Sequence, residues 1–305
     1  MAQEPTIRTD VPLVLLPVTV TDSKGNAING LTADDFEVSD EGVRQKVRVD
    51  TADTLLAPVS IVFAVETAWI SGPALAKIAK VGTMIRPVIA GQGGHVAVIA
   101  YDREIRVLTP FTTDSNEVEN AFKRLTPRTP LAGVLLDAIA EGVKLLETRP
   151  ENNRRILVVI GEARDRGSKL GLNAAIEAAQ RASAIVYSAT YSPQKTAWTA
   201  HPEDEPVPPM GPNGPNYAAG IGELFRLGKT DAADALARGT CGRKTSFAVL
   251  SGLENALTNL GAEIHSQYLL SFAPVAMSEN RFRRVQVKVP KQRAVVRARP
   301  GYWPK

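Results

Sequence analysis

The sequence of 305 residues predicts a doubly wound α/β sheet domain inserted into a β-sandwich that the two ends of the chain form together. In the middle of the chain, apolar runs without in-out alternation recur between helical patterns, which is typical of strands buried on both faces of a parallel sheet. Short β-rich runs separated by turn residues occur at both ends. Neither end has enough strands to bury its own apolar face, so we expect the ends to pair.

The first end of the chain supplies three predicted strands, and the last end supplies three more. Leu13–Thr21 ends at a turn whose Asp, Gly and Asn residues suit tight backbone geometry. The other runs are Asp34–Val38, Val43–Val49, Gln267–Phe272, Phe282–Val289 and Ala294–Ala298. We therefore assign residues 1–54 and 266–305 to the two parts of the β-sandwich domain, and residues 55–265 to the α/β domain.

The α/β domain is organised around the stretch Pro58–Gly72. The apolar run Ser60–Val65 predicts a buried strand, a polar loop follows, and Pro73 suits the first turn of a helix. Further along, the pattern predicts strands at 96–101, 105–108, 156–160 and 184–189, and helices at 133–146, 170–182, 217–227, 232–237 and 250–264. Residues 192–216 are rich in Pro and Gly and predict an extended surface insertion.

The composition of the chain excludes several classes of function but does not identify one. The chain has 36 Lys and Arg against 32 Asp and Glu, a net charge of +4, so nothing favours a nucleic-acid partner. No run approaches the roughly 20 apolar residues of a membrane span. A single cysteine, Cys241, excludes an internal disulfide framework and a cysteine-cluster metal site.

The first residues give two alternatives for location. They lack the basic and then apolar pattern of a secretory signal, yet Met1–Gln3 would also fit a methionine placed on the stub that signal cleavage leaves. We expect a secreted or periplasmic protein if a signal has been removed, and a cytoplasmic one otherwise.

The loop after the first buried strand of the α/β domain is the first place to look for function. Ligands of open α/β sheets bind outside the carboxyl ends of the strands. This loop consists of Glu66, Thr67, Ala68, Trp69, Ile70 and Ser71. We expect these residues to form a ligand-binding rim.

Motifs at both ends of the chain resemble the von Willebrand factor A-related domain proteins of acidobacterial type. The N-terminal motifs are Val18–Asp22 with Gly25, Gly30–Thr32 with Asp35-Phe36, and Asp40 through Gly42 to Gln45. The C-terminal motifs are Ser266–Leu270, Phe282–Val285 and Arg299–Trp303. The resemblance covers nearly the whole chain, and its specificity comes from the order of the motifs.

The resemblance implies a Mg²⁺ or Mn²⁺ site held by an Asp-x-Ser-x-Ser motif, a Thr and a second Asp. In this chain those positions fall on Glu66, Ala68, Ile70, Gly133 and Glu162. Every direct ligand has therefore changed. Each Glu places its carboxylate about 1.5 Å further out than an Asp would, and magnesium tolerates little deviation from octahedral geometry.

We therefore expect a degenerate ion site, with no metal and no other cofactor. Thr67, Ser71 and Thr129 carry hydroxyls that would serve as replacement ligands only if the loops moved. Weak calcium binding stays open as an alternative, because calcium accepts looser geometry.

Taken together, these features favour a non-catalytic, metal-independent module of the adhesion or scaffold type that binds a protein partner. Trp69 and Ile70 are large apolar residues in a rim loop, where they either cover the lost ion pocket or anchor a partner. The competing class is an enzyme, a hydrolase or nucleotide-binding protein that uses Glu66 and Glu162.

Overall fold

A computed structural model describes residues 13–50, 58–68, 71–81, 94–128, 133–151, 153–191, 231–274, 281–290 and 293–304. The chain divides into one unit of residues 1–55 with 266–305 and a second unit of residues 56–265. The predicted fold class is confirmed: a mostly parallel sheet flanked by helices forms the α/β unit, and further sheets form at the ends of the chain.

The α/β unit contains a six-stranded sheet in the order β10-β9-β8-β5-β6-β7. Its strands are β5 (Val59–Glu66), β6 (His95–Tyr101), β7 (Ile105–Thr112), β8 (Arg154–Gly161), β9 (Ala184–Tyr191) and β10 (Lys244–Phe247). Strand β7 pairs antiparallel with β6, and the other pairs are parallel. All eight residues of β5 are buried, as expected for a strand in the centre of the sheet.

Helices cover both faces of this sheet. They are α1 (Gly72–Val81), α2 (Ser115–Lys123), α3 (Leu135–Glu147), α4 (Leu172–Arg181), α5 (Ala232–Gly239) and α6 (Leu250–Ser266). Helices α1, α2 and α6 pack into one apolar core with alternate strand residues, and α3, α4 and α5 pack into the other. This arrangement is doubly wound, so the carboxyl ends of the parallel strands open at one edge.

Arg154, the first residue of β8, holds the two ends of the α/β unit. Its backbone N–H donates to the carbonyl of Pro58, at the beginning of the unit. Its guanidinium donates to the carbonyl of Ile264, at the end of the unit. The chain therefore enters and leaves the α/β unit at one place.

The other unit consists of two four-stranded sheets around a shared apolar core. One sheet has the order β13-β1-β11-β4 and the other has the order β14-β12-β2-β3. The strands are β1 (Val14–Thr21), β2 (Glu37–Asp40), β3 (Val43–Gln45), β4 (Arg48–Asp50), β11 (Tyr268–Phe272), β12 (Arg283–Lys288), β13 (Val295–Ala298) and β14 (Gly301–Tyr302). Each sheet combines strands from both ends of the chain.

Buried polar contacts also join the two ends in this unit. Asp40 is fully buried, and its carboxylate accepts hydrogen bonds from the Arg283 guanidinium and, at 3.0 Å, from the Tyr302 hydroxyl. The Tyr268 hydroxyl accepts from the N–H of Leu31 at 3.1 Å and donates to the carbonyl of Ile28 at 2.8 Å. Each contact links residues more than two hundred positions apart in the sequence.

Some predicted elements were wrong in detail. The predicted strand Val43–Val49 is two strands in different sheets, because the chain crosses between the sheets at Lys46-Val47 and buries Val47. The strand predicted at 34–38 begins instead with a 3₁₀ turn at Ala33–Asp35, which Thr32 caps. Helix α2 and strand β10 were missed: α2 begins at the Asp114 cap, and β10 has the polar sequence KTSF.

The predicted insertion 192–216 and the predicted helix 217–227 lie outside the described residues. Among the described helices, none combines the length and apolar character that a bilayer crossing requires.

A variant that lacks Gln267–Lys305 tests the pairing of the two ends. The N-terminal strand β1 would lose its partners β11 and β13, so its amides should lose hydrogen-exchange protection. Strand β8, whose neighbours β5 and β9 remain, serves as the internal control and should stay protected. Native-like protection of β1 in the truncated protein would contradict a sandwich formed from both ends.

Candidate functional site

Three loops meet at the carboxyl edge of the central sheet. Strands β8, β5 and β6 are neighbours, and they end at Gly161, Glu66 and Tyr101. The N–H of Thr67 donates to the carbonyl of Tyr101 at 2.7 Å, which ties the first loop to the end of β6. The residues after these strands therefore form one cluster, as expected at the ligand-binding edge of such a sheet.

Glu66 is the centre of this cluster and is only 2% exposed. Its Oε2 accepts a hydrogen bond from the backbone N–H of Glu162 at 2.6 Å. The Tyr191 hydroxyl, at the end of β9, donates to the same oxygen over 3.4 Å. One carboxyl group therefore links the ends of three strands.

Two glycines make room for the Glu66 side chain. A Cβ atom on Gly133 would lie 2.3 Å from Oε1 of Glu66. A Cβ atom on Gly161 would lie 2.9 Å from Cβ of Glu66 and 2.4 Å from the Tyr101 hydroxyl. The Glu66 carboxyl thus occupies the space that a side chain at residue 133 would need.

Glu162 is the second carboxyl group of the cluster and is 4% exposed. Its Oε2 lies 2.5 Å from the Arg166 guanidinium. Burial, together with the neighbouring Glu162, raises the pKa of Glu66 from 4.5 to about 8. Burial also raises the pKa of Glu162, although Arg166 favours its charged form. Near neutral pH the Glu66 carboxyl is therefore favoured in its neutral form.

Two buried tyrosines complete the surroundings of Glu66. Burial and the Glu66 carboxylate raise the pKa of Tyr101 and of Tyr191 well above the ordinary tyrosine value, so both hydroxyls stay protonated. The Tyr101 hydroxyl has no hydrogen-bond partner within the described part of the chain. The cluster around Glu66 therefore contains two protonated tyrosine hydroxyl groups and one carboxyl group, that of Glu66, which favours its neutral form.

A separate polar network surrounds Thr67. Its buried hydroxyl donates to Oδ2 of Asp102 at 3.1 Å and accepts from the Arg106 guanidinium at 2.9 Å. Arg106 also forms an ion pair with Asp102 at 2.7 Å. These bonds use the hydroxyl fully, so Thr67 is already engaged within the fold.

The remaining predicted site residues differ in their surroundings. Ala68 is fully buried and forms an isolated bridge with Arg128, and Ser71 is fully buried beside the Tyr191 hydroxyl. Trp69, Ile70 and Thr129 lie outside the described residues. The structure therefore brings Glu66, Gly133 and Glu162 together, with Thr67, Ala68 and Ser71 in the adjoining loop.

Sequence reasoning missed five residues of this edge: Tyr101, Asp102, Arg106, Arg166 and Tyr191. A signal was present, because Tyr101 ends a predicted strand, Asp102 follows it, and Tyr191 lies two residues after the predicted strand 184–189. Ligand-binding residues of open sheets lie near such strand ends. Each arginine lies four positions after the acid with which it forms an ion pair: Arg106 follows Asp102, and Arg166 follows Glu162. This spacing brought arginine and acid together without a regular helix.

The comparisons with known families fit this geometry. Residues 73–164 match the family model of the von Willebrand factor type A domain. This part of the chain is similar to a von Willebrand factor type A domain. The match begins two residues after the loop Glu66–Ser71 and ends two residues after Glu162.

No curated protein matches the sequence. Among solved structures, the chain is similar to a von Willebrand factor type A protein from Catenulispora acidiphila (13% identity, TM-score 0.49, 83% of this chain and 68% of that one). It is also similar to the conserved hypothetical protein BatB from Bacteroides thetaiotaomicron (15% identity, TM-score 0.46, 68% of this chain and 98% of that one). A third similar structure is the vWF domain of the type V pili tip protein Mfa5 from Porphyromonas gingivalis (12% identity, TM-score 0.45, 69% of this chain and 96% of that one).

The residues at this edge do not fit the metal ion that the family resemblance implies. Ala68 offers no oxygen in its side chain, and Gly133 has no side chain. The Glu66 carboxyl fills the space beside Gly133 and is favoured in its neutral form, whereas a hard cation needs several charged or neutral oxygens at close, regular distances. Within the described residues, no group of three or more His, Cys, Asp or Glu side chains is placed to hold a metal.

The raised pKa of Glu66 predicts a pH-dependent stability. The folded state holds the proton more tightly than the unfolded chain, so the contribution of Glu66 is greatest below pH 4.5 and is lost as the pH rises to about 8. The loss is at most about 1.4 kcal/mol per pH unit. In urea denaturation, the uncharged variant Glu66→Gln should lack this slope.

Glu147→Gln is the control for this measurement, because Glu147 is exposed and lies at the end of α3. It should keep the wild-type pH profile. A difference in unfolding free energy between Glu66→Gln and wild type that stays constant from acid to alkaline pH would contradict the buried neutral carboxyl.

A double-mutant cycle tests whether Glu66 occupies the space beside Gly133. Gly133→Ala places a Cβ atom against the Glu66 carboxyl and should destabilise the fold by about 1–3 kcal/mol. The shorter side chain of Glu66→Asp should relieve part of this cost, giving a coupling of at least about 0.5 kcal/mol in denaturation experiments.

Gly171→Ala is the matched control for the cycle, because nothing lies within 4 Å of its added Cβ atom. Its effect on stability should be independent of residue 66. Additive effects of Gly133→Ala and Glu66→Asp would show that the carboxyl lies elsewhere.

Proposed function

We propose that this protein is a non-catalytic, metal-independent module that binds a protein partner at the carboxyl edge of its central sheet. The observation that carries the proposal is the position of the Glu66 carboxyl. It lies against Gly133 and accepts the N–H of Glu162, and so it fills the centre of the edge at which the family places an ion. A partner would then be bound by the surrounding loops.

Several features support a binding surface at this edge. The von Willebrand factor A resemblance implies a binding domain, and backbone hydrogen bonds join the loops after β5 and β6 to residues between α2 and α3. The N–H of Arg128 donates to Thr67, and the N–H of Val134 donates to Asp102. A connected set of loops on a rigid sheet is a suitable scaffold for recognition. Trp69, next to the buried Ala68, is the residue type that most often anchors an interface.

The alternative is an enzyme that uses Glu66 and Glu162 as an acid–base pair. The raised pKa of both residues is the observation in its favour, since perturbed carboxyl groups cluster in active sites. The exposed fractions of 2% and 4% count against it, because a catalytic carboxyl must reach substrate. The backbone hydrogen bond to Glu66 and the ion pair of Glu162 also account for both groups as parts of the fold.

We further propose that the module works outside the cytoplasm, as a secreted or periplasmic protein. An adhesion or scaffold role fits such a location, and the single cysteine, Cys241, is buried and so needs no particular redox environment.

Capture of a partner from the source organism tests the proposed function. Immobilised wild-type protein should retain the partner equally in excess EDTA and in Mg²⁺, because the site needs no cation. Trp69→Ala should lose most of the retained partner, since truncating an interface Trp typically costs about 2 kcal/mol or more. Quantitative mass spectrometry of the retained proteins provides the measurement.

Trp198→Ala is the matched control, because it removes a tryptophan of the predicted insertion 192–216 instead of the rim. It should retain the partner. Loss of the partner in EDTA with recovery in Mg²⁺ would contradict metal independence. Retention by Trp69→Ala together with loss by Trp198→Ala would move the binding surface away from this edge.

A further inference from the structure

A row of polar side chains crosses the central sheet at its amino edge, opposite the candidate functional site. Ser60, near the start of β5, is paired in the sheet with Arg155 of β8 on one side and with His95 of β6 on the other. Ser60 is fully buried, and Arg155 is 8% exposed. In each strand the residue two positions further on belongs to the apolar core under α3 and α4, so the polar row forms the end of that core.

Arg155 joins this row to the ends of two helices. Its Nη1 donates to the carbonyl of Ala182, directly after α4, at 3.0 Å. Its Nη2 donates to the carbonyl of Arg149, two residues after α3, at 2.9 Å. The side-chain amide of Asn153 donates to the Ser60 hydroxyl oxygen at 3.0 Å. These contacts fix Arg155 and Ser60, so the row is a rigid part of the α/β unit.

Arg149 brings a second guanidinium to the same row. Its backbone carbonyl contacts Arg155 of β8, whereas its guanidinium lies 5.0 Å from the centre of the Phe111 ring on β7. Strands β5 and β6 lie between β8 and β7 in the sheet. The Arg149 side chain therefore extends along the row in the direction of His95.

Three nitrogen atoms of the row have no hydrogen-bond partner. They are Nε of Arg149, Nε of Arg155 and Nδ1 of His95, and all three are buried and unpartnered within the part of the chain that the structure describes. Buried polar atoms are normally satisfied, so these nitrogens indicate a ligand that accepts hydrogen bonds. His95 donates to such a ligand in the tautomer that carries its proton on Nδ1. Neighbouring strands lie about 4.8 Å apart, so a ligand above β5 is within reach of both Arg155 and His95.

The charge of this row is positive. Arg149 and Arg155 form no ion pair with any described residue. The acids nearest this edge are exposed or bonded elsewhere: Asp114, which caps α2, Glu147, Glu151, and Glu177, which pairs with Arg181. The ends of α3 and α4 at Arg155 each supply about half a negative charge. Two guanidiniums and two such helix ends leave about one positive charge, which one monovalent anion would balance.

We propose that Arg149, Arg155 and His95 bind a small monovalent anion, of the size of chloride, at the amino edge of the sheet. The ligand is small because the three nitrogens lie in the interior, and it is monovalent because a phosphate or sulfate would exceed the charge of the row. The bound anion joins the end of α3 to β8 and β6, and it thereby stabilises the α/β unit. This role is independent of the proposed partner-binding edge.

Thermal denaturation of the full chain in sodium chloride tests the proposal, with sodium gluconate keeping the ionic strength constant. An anion that binds only the folded state stabilises it, and gluconate is too large for the site. The melting temperature of the wild-type protein should rise by about 3–5 °C for each tenfold increase in chloride above the dissociation constant. The NMR line of chloride should broaden in the presence of the protein and sharpen when bromide competes.

Arg149→Met should weaken chloride binding by roughly tenfold or more in both measurements, because it removes a charge-assisted hydrogen bond. A purely structural role of Arg149 would lower the melting temperature equally in chloride and in gluconate. Arg124→Met is the matched control, since Arg124 also follows a helix and donates to a strand carbonyl, that of Leu108, but α2 packs on the other face of the sheet. It should keep the chloride dependence of the wild type.

Equal melting temperatures in chloride and in gluconate would overturn the proposal and leave water as the partner of the three nitrogens. Equal losses of chloride dependence in Arg149→Met and Arg124→Met would also overturn it, since the effect of chloride would then be general. Stabilisation by sulfate at lower concentrations than by chloride would exclude a monovalent site. Circular dichroism checks that each variant is folded, and Arg149→Gln replaces Arg149→Met if that variant is not.

Discussion

The structure of the candidate site depends on one buried carboxyl group. Glu66 ends the central strand of the sheet, and its side chain has no access to water that would support a charge. It is therefore favoured as a neutral acid that accepts the N–H of Glu162 and contacts the Tyr191 hydroxyl. The position of the Glu66 side chain requires glycine at residues 133 and 161, because a larger residue at either position would collide with Glu66 or Tyr101.

This constraint relates residues at three positions where the family resemblance implies ion ligands. A longer acid in the first loop needs space, and the absence of a side chain at residue 133 provides it. A small apolar residue at position 68 packs in the interior and forms a bridge with Arg128. Glu66 and Gly133 therefore form one packing arrangement, which hydrogen bonds and van der Waals contacts hold in place.

The sequence predicted the fold class well, because long buried strands such as β5 and β8 are continuous apolar runs and amphipathic helices such as α3 have a strong periodic pattern. It failed for β10, whose polar residues give no strand signal and whose pairing with β9 is decided by tertiary contacts. The loop Glu66–Ser71 was predicted from its place after a buried strand, and Gly133 and Glu162 were predicted through the resemblance. Arg106 and Arg166 were not, because pairing between a loop residue and an acid four positions earlier depends on backbone geometry that no periodicity encodes.

The position of Arg154 has a consequence for the order of folding. Strand β1 must find partners that are synthesised some 250 residues later, a search that costs much chain entropy in an unfolded polypeptide. The α/β unit has its own two cores, and once it has folded, Arg154 holds residues 58 and 264 close together. Because these two residues are close, the N-terminal and C-terminal parts of the sandwich start from neighbouring points, and the chain entropy that their pairing costs is lower. The inserted domain thus acts as the template on which the discontinuous domain closes, so mutations that slow its folding should also delay the sandwich.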